Sequence, residues 1–160
     1  MKKILFPLAA ALLLIACNTD SSPNPYFRAT ITGDGITDSV QFEAISSIGK
    51  VGDSIEIISG DDMAIFRIAV PQNNTTGSYT PVIFTPGFTD AQLYYTADKA
   101  APDLLLKLSI ADSGIINITK IDDEGTENLI DGNFFVRTLN LSGDTLRIRG
   151  DFVSIPIILE

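Results

Sequence analysis

From Tyr26 onward, apolar and polar side chains alternate with a period of two, and this constrains the fold more than any other feature of the chain. Phe27, Ala29 and Ile31 interleave with Arg28, Thr30 and Thr32; Val40, Phe42 and Ala44 with Gln41 and Glu43; Ile55 and Ile57 with Ser54 and Glu56. Later, Leu104, Leu106, Leu108 and Ile110 interleave with Lys107 and Ser109, and Leu146 and Ile148 with Thr145, Arg147 and Arg149. A strand sends successive side chains to opposite faces, so each run predicts a strand of an antiparallel sheet with one face dry and one wet. Met63 to Val70 is apolar on both parities apart from Arg67, which predicts a strand covered on both sides. No stretch after Tyr26 has convincing helical spacing.

Turn signals separate the runs: Thr32-Gly33-Asp34-Gly35, Gly49-Lys50-Val51-Gly52, Ser59-Gly60-Asp61-Asp62, Asp112-Ser113-Gly114, Asp122-Asp123-Glu124-Gly125 and Ser142-Gly143-Asp144. The expected fold class is therefore all-β: an antiparallel β-sandwich or partly open barrel built largely of hairpins, with about 8–10 strands and little or no helix. Between Val70 and Pro102 the prolines at 71, 81, 86 and 102 predict short edge strands around Val82–Phe84 and Gln92–Thr96. Near the end, the inward parity of Leu146, Ile148 and Phe152 switches to Val153, Ile155 and Ile157, which predicts a bulge near Gly150-Asp151. Ile130-Asp131-Gly132-Asn133-Phe134 and Ile148-Arg149-Gly150-Asp151-Phe152 share an Ile-x-Gly-x-Phe pattern, in which glycine makes room for a neighbouring ring.

The first sixteen residues follow a different grammar. Lys2 and Lys3 precede an uncharged stretch from Ile4 to Ala16, the n-region and h-region of a secretory signal. The stretch is shorter than the ~20 apolar residues needed to span a bilayer. It ends in Leu14-Ile15-Ala16-Cys17, which looks like the lipobox of bacterial lipoproteins, with cleavage between Ala16 and Cys17 and lipidation of the Cys17 thiol. Cys17 is the 1 cysteine of the chain, so it has no disulfide partner within it. Asn18 to Pro25 reads as a polar tether that reaches at most ~29 Å when extended. The expected organisation is residues 1–16 as a removed signal, 17–25 as lipidated cysteine and tether, and 26–160 as a single β domain. Acyl chains contribute ~0.8 kcal/mol per buried CH₂, and two or three of them anchor durably.

The formal net charge is −9 over the whole chain, and becomes −11 once Lys2 and Lys3 are lost with the signal. So acidic a body repels phosphate backbones, which argues against nucleic acid as a partner and leaves membrane attachment to the lipid on Cys17. Histidine is absent, which excludes Ser-His-Asp and Cys-His catalysis and histidine-ligated metals. Tryptophan, the side chain best suited to stacking, is absent as well. No cofactor is expected, and no catalytic or metal-ligating residue stands out.

Several clusters have side chains that could form sites. Asp122-Asp123-Glu124 with Glu127, and Asp61-Asp62, supply hard oxygens for Ca²⁺, but neither has the spacing of a calcium loop and both fall where hairpin turns are expected. Two carboxylates about 5 or 6.5–9.5 Å apart can hydrolyse glycosides, yet so many acidic groups on one small domain reach such distances by chance. Tyr79, Phe88, Tyr94 and Tyr95 lie in the proline-interrupted middle; Tyr94 and Tyr95, adjacent on a strand, face opposite ways, so only one can serve as a platform.

Phe27-Arg28-Ala29 with Ile31 and Gly33, Ile68-Ala69-Val70-Pro71 with Gly77-Ser78-Tyr79, Gly114 to Asp122, Ile130 to Val136 and Leu146 to Phe152 together resemble a family of small Bacteroidota lipoproteins. The family's domain carries no assigned function. The resemblance implies a cell-envelope location and a β-rich domain, and brings no catalytic residues. In that setting Asp38-Ser39-Val40, Asp53-Ser54-Ile55 and Asp144-Thr145-Leu146 look like the Asp-(Ser/Thr)-aliphatic O-glycosylation site of such envelopes. The Asn-x-Ser/Thr sequons at Asn73, Asn74, Asn117 and Asn140 carry little meaning in a bacterium. The expected function is that of a lipid-anchored envelope protein, in the outer membrane, with a non-catalytic domain that binds a protein, glycan or small apolar ligand. The alternatives are a carboxylate-dependent glycan hydrolase and a β-barrel carrier of a hydrophobic molecule.

Overall fold

The computed structural model describes residues 24–44, 46–51, 54–61, 64–71, 76–82, 91–96, 108–122 and 129–159. Ala16, Cys17, Asp53, Asp62, Met63, Asn73, Asn74, Ile83, Phe84, Phe88, Leu104, Leu106, Asp123, Glu124 and Glu127 lie outside the described residues. The described part is all-β, as the alternation predicts. Its strands are β1 (Tyr26–Gly33), β2 (Val40–Glu43), β3 (Ser46–Val51), β4 (Ser54–Gly60) and β5 (Ile65–Pro71), followed by β6 (Gly77–Tyr79), β7 (Gln92–Thr96), β8 (Ser109–Asp122), β9 (Leu129–Leu139) and β10 (Thr145–Leu159).

Three long strands, β8, β9 and β10, pair antiparallel in sequence order, and the outer two, β8 and β10, also pair with strands of a second layer. In its first half β10 also pairs with β1, which pairs with β2; in its last residues it pairs with β3 instead, Ile157 to Leu159 running parallel to Gly49 to Val51. β8 does the same at the other edge, with β7 beside Ser109 and Ile110 and β6 beside Ile116 to Ile118. The antiparallel run β3-β4-β5-β7 therefore joins β8 at one end and β10 at the other, closing a seven-strand barrel. One layer is β2-β1-β10-β9-β8-β6, and β3, β4, β5 and β7 form the other.

The switch of β10 between layers happens at a bulge. Its register with β9 breaks between Phe152 and Ile155, Ser154 takes φ 54, and the Ser154 amide donates to the Asp131 carboxylate at 2.6 Å. The parity change read from the sequence is present, but it falls at Val153-Ser154 rather than Gly150-Asp151, and Val153 stays half-buried while Phe152, Ile155 and Ile157 are buried.

The glycine echo has a packing cause. Gly150 lies opposite Phe134, and Gly132 opposite Phe152, across the β9–β10 pair. A Cβ on Gly150 would collide with the Phe134 ring and with the Arg28 carbonyl, and one on Gly132 with the Phe152 ring and with the Asn117 carbonyl. Each ring lies over the other strand's glycine, which lets two bulky rings share one crowded part of the core.

Rings fill the space between the layers. Phe66 of β5 meets Phe27 of β1 at 5.2 Å, Phe42 of β2 at 4.8 Å, Phe134 of β9 at 6.1 Å and Tyr95 of β7 at 4.6 Å between centroids. Phe27, Phe66 and Phe152 are fully buried, and each such side chain contributes ~1.5–3 kcal/mol of hydrophobic free energy.

Four expectations are corrected. Gly49 to Val51 is strand and not turn, because Gly49 packs against Ile130 and Ile157 where β3 closes the barrel. Asp112-Ser113-Gly114 is a bulged stretch inside β8, where the register slips between Ala111 and Ser113 and Gly114 takes φ 120. Gln92–Thr96 is a strand, but an internal one, between β5 and β8. Leu108 and Ile110 point outward: Tyr95 faces the core opposite Ser109, so Ser109 and Ala111 take the inward positions.

Candidate functional site

The outward positions of the β2-β1-β10-β9-β8-β6 layer fall into rows that cross the strands. Arg28 pairs with Glu43 on one side and lies opposite Asp151 on the other; Asp151 is opposite Asn133, Asn133 opposite Asn117, and Asn117 opposite Ser78. Side-chain bonds bind both ends of this row: Arg28 donates to Glu43 at 3.1 Å, the Asn117 amide to Asn133 at 2.8 Å and the Ser78 hydroxyl to Asn117 at 2.6 Å. The next row holds Gln41, Thr30, Arg149, Phe135 and Ile115, and the one after it Thr32, Arg147, Arg137 and Ser113.

Three adjoining depressions of about 430, 420 and 400 Å³ run along β1 and β10 over these rows. The first and second share Thr30, Gln41 and Arg149, and the second and third share Thr32 and Arg147, so together they form one open trough. From Asp151 to Thr145 it follows six residues of strand, about 20 Å.

Charge on this face is unevenly compensated. Arg137 forms a fork with Asp112, Nε to Oδ1 at 3.0 Å and NH2 to Oδ2 at 2.6 Å, which with the Ser113 hydroxyl holds the Asp112 carboxyl below its ordinary range against the upward push of burial. Arg28 is paired with Glu43 and sits 4.8 Å from the Tyr26 ring centroid. The Tyr26 phenol, hydrogen-bonded to Asp151, is pushed up. At the far end Asp34 accepts from the Thr145 amide at 2.8 Å and hydroxyl at 2.9 Å, which lowers its carboxyl. Arg147 and Arg149 are exposed, and no side-chain partner is found for either among the described residues. Between them and β8 stands Phe135, 57% exposed, directly opposite Arg149, with Ile115 next to it at 40%.

Compared with protein-family models, curated proteins and solved structures, the chain matches none.

The clusters singled out in the sequence do not converge there. Asp122 ends β8 within 4.0 Å of Lys120, while Asp61 Oδ1 accepts from the Ala64 amide at 2.6 Å in the turn between β4 and β5. Among the described residues no three carboxylates gather as a metal site. Tyr94 and Tyr95 face opposite ways as expected: Tyr95 is in the core against Phe66, and Tyr94 donates outward to Gln92 at 2.7 Å. Tyr79 packs half-buried against the core. Tyr94 also lines a largely apolar depression of about 450 Å³ with Ile65, Arg67, Leu108 and Ile110, on the outer face where β5 and β7 meet the start of β8. Of the Asp-(Ser/Thr)-aliphatic segments, Ser39 is exposed in the trough wall, whereas the Thr145 hydroxyl is engaged by Asp34. Asn117 is held by Asn133, and Asn140 caps the β9–β10 turn by accepting from the Asp144 amide at 2.8 Å.

The sequence reading did not single out Arg147 or Arg149, because outward arginines on a strand fit any solvated face. A signal was present nonetheless. Of the five arginines in this acidic chain, Arg28, Arg137, Arg147 and Arg149 have outward positions in one layer, and three of these come from the last two strands.

Proposed function

We propose that this chain is a lipid-anchored protein of the bacterial envelope, held to the outer membrane through acylated Cys17, and that its β domain is a non-catalytic binding module. The anchor rests on Leu14-Ile15-Ala16-Cys17 at the end of the uncharged run. The binding role rests on one observation: a trough on a broad sheet face, with two guanidiniums that have no side-chain partner among the described residues, in a chain of net charge −9. Placing charged groups so that they lack partners favours a ligand that supplies them. A carrier role is compatible with a closed barrel, but needs an open lumen; at the level of Phe66 the lumen is filled by rings.

Two measurements test this. Cys17→Ser is expected to abolish metabolic labelling with fatty acid and to release the protein from the membrane fraction; labelling that persists overturns the anchor. A photo-crosslinking residue at Gln41, in the trough wall, is expected to yield adducts in living cells that the same residue at Ile48, on the other layer, does not. Equal adducts from both positions, or none from Gln41, overturn the binding face.

A further inference from the structure

We infer that the trough binds an acidic saccharide chain, whose carboxylate or sulfate groups lie on Arg147 and Arg149 and one of whose sugar rings lies over Phe135. The inference rests on the binding-module reading and names the ligand class.

Arg147 and Arg149 are two positions apart on β10 and share a face, so their Cα atoms are about 7 Å apart and both forks open onto the trough. A guanidinium presents a planar fork that matches an oxyanion with two parallel hydrogen bonds. On the β1 side their neighbours are neutral hydrogen-bonding groups, Thr30 and Thr32 on β1 and Ser39 and Gln41 at β2, while on the β9 side Arg147 is opposite Arg137, whose charge Asp112 meets. Thr30 and Gln41 already bond each other at 2.9 Å, and Gln41 reaches Ser39 at 3.4 Å, so the wall is pre-arranged rather than loose. Hydroxyl-rich, sparsely charged ligands need this mixture of amides, hydroxyls and a few fixed cations. Phe135 adds an exposed ring beside Arg149, the flat apolar surface against which the C–H face of a sugar can lie.

Other occupants fit less well. A protein partner buries ~800 Å² on each side around an apolar, aromatic core, whereas among the described residues Phe135 is the one exposed apolar side chain lining the trough. A single-stranded nucleic acid needs a row of aromatic platforms and a continuous cationic track, whereas the described residues of the trough offer one exposed ring, Phe135, and a pair of arginines, Arg147 and Arg149, without side-chain partners among them. A small apolar ligand finds no enclosed apolar wall here. An extended chain with occasional anions matches both the length and the charge pattern, and its affinity is expected to fall with added salt because the arginines are solvent-exposed.

The test is calorimetric titration of the full chain in detergent with four probes: a galacturonic acid hexamer with all but two of its carboxyls methyl-esterified, the same hexamer fully methyl-esterified, a sparsely sulfated hexasaccharide, and a glutamic acid hexapeptide. The uronate, the sulfated sugar or both are expected to bind at least tenfold more tightly than the ester and the peptide. Arg147→Gln and Arg149→Gln are each expected to weaken that binding tenfold or more, about 1.4 kcal/mol, and Phe135→Ala to weaken every saccharide. Arg67→Gln, on the opposite layer, is expected to change nothing. The inference is overturned by binding that ignores esterification, by a peptide that outcompetes the sugars, by no binding of any acidic sugar, or by an Arg67→Gln effect as large as the others. If crosslinks from Gln41 persist while the sugars fail, the ligand class is wrong and the binding module stands; if both fail, so does the binding face.

Discussion

At the residue scale, the charged face is organised by which arginines have carboxylates and which do not. Asp112 and Arg137 come together because the β8 bulge carries Asp112 beside the β9 position opposite Ser113. A carboxyl held below its ordinary value adds stability that is complete above the unfolded value of ~4 and is lost as pH falls through the folded value. Asp112→Asn is therefore expected to lower the melting temperature at pH 7, and the gap from the parent chain should shrink below about pH 4 as the parent's own carboxyl becomes neutral. Melting curves across pH check this, and a gap independent of pH would show that the fork contributes nothing through charge. The pairing was not legible in the sequence, where Asp112-Ser113-Gly114 has the composition of a turn. Nor was the trough: Thr30 and Arg149 are opposite each other only because β1 pairs with the last strand of the chain. The alternation shows that such residues face water, but not which of them become neighbours.

At the element scale, the inward sets of β1, β4 and the first half of β10 follow the sequence, with Phe27, Ala29, Ile31, Ile55, Ile57 and Ile148 all buried. Those strands have clean alternation and no bulge, so one parity holds along them. It fails at Leu108 and Ile110, where the parity of β8 is set by the partner ring of Tyr95 and by the bulges downstream rather than by the apolar run before it. The repeated Ile-x-Gly-x-Phe pattern gives a second test at this scale. Gly150→Ala puts a methyl group into the space of the Phe134 ring and is expected to cost about 1–3 kcal/mol by overpacking. In a Phe134→Ala background the same change should cost less, since the ring is gone, but some loss should remain because the Arg28 carbonyl oxygen still crowds the new methyl group. Denaturant unfolding of the four chains measures the coupling; additive losses would mean that the glycine is needed for the close approach of the Arg28 carbonyl and not for the ring.

At the scale of the whole molecule, the sequence could specify strands but not their order. Nothing in the pattern of Ser46 to Val51 indicates that its partner is the end of the chain, or that the two run parallel, because pairing direction leaves no mark on alternation. What joins the two layers is the aromatic cluster, and Phe66 is its centre. It is fully buried and contacts rings from β1, β2 and β9 in one layer and from β7 in its own. Aromatic pairs add ~0.5–1.5 kcal/mol each beyond the area they bury, and truncating a buried phenylalanine costs ~3–5 kcal/mol through lost transfer energy and the cavity left behind. Phe66→Ala is expected to fall in that range. Phe42→Ala, on a strand paired on one side by β1 and touching two rings of the cluster, should cost less. If denaturant midpoints show the two equally damaging, the layers are held together by the strand pairing at the barrel's two seams, and the rings merely fill the space between them.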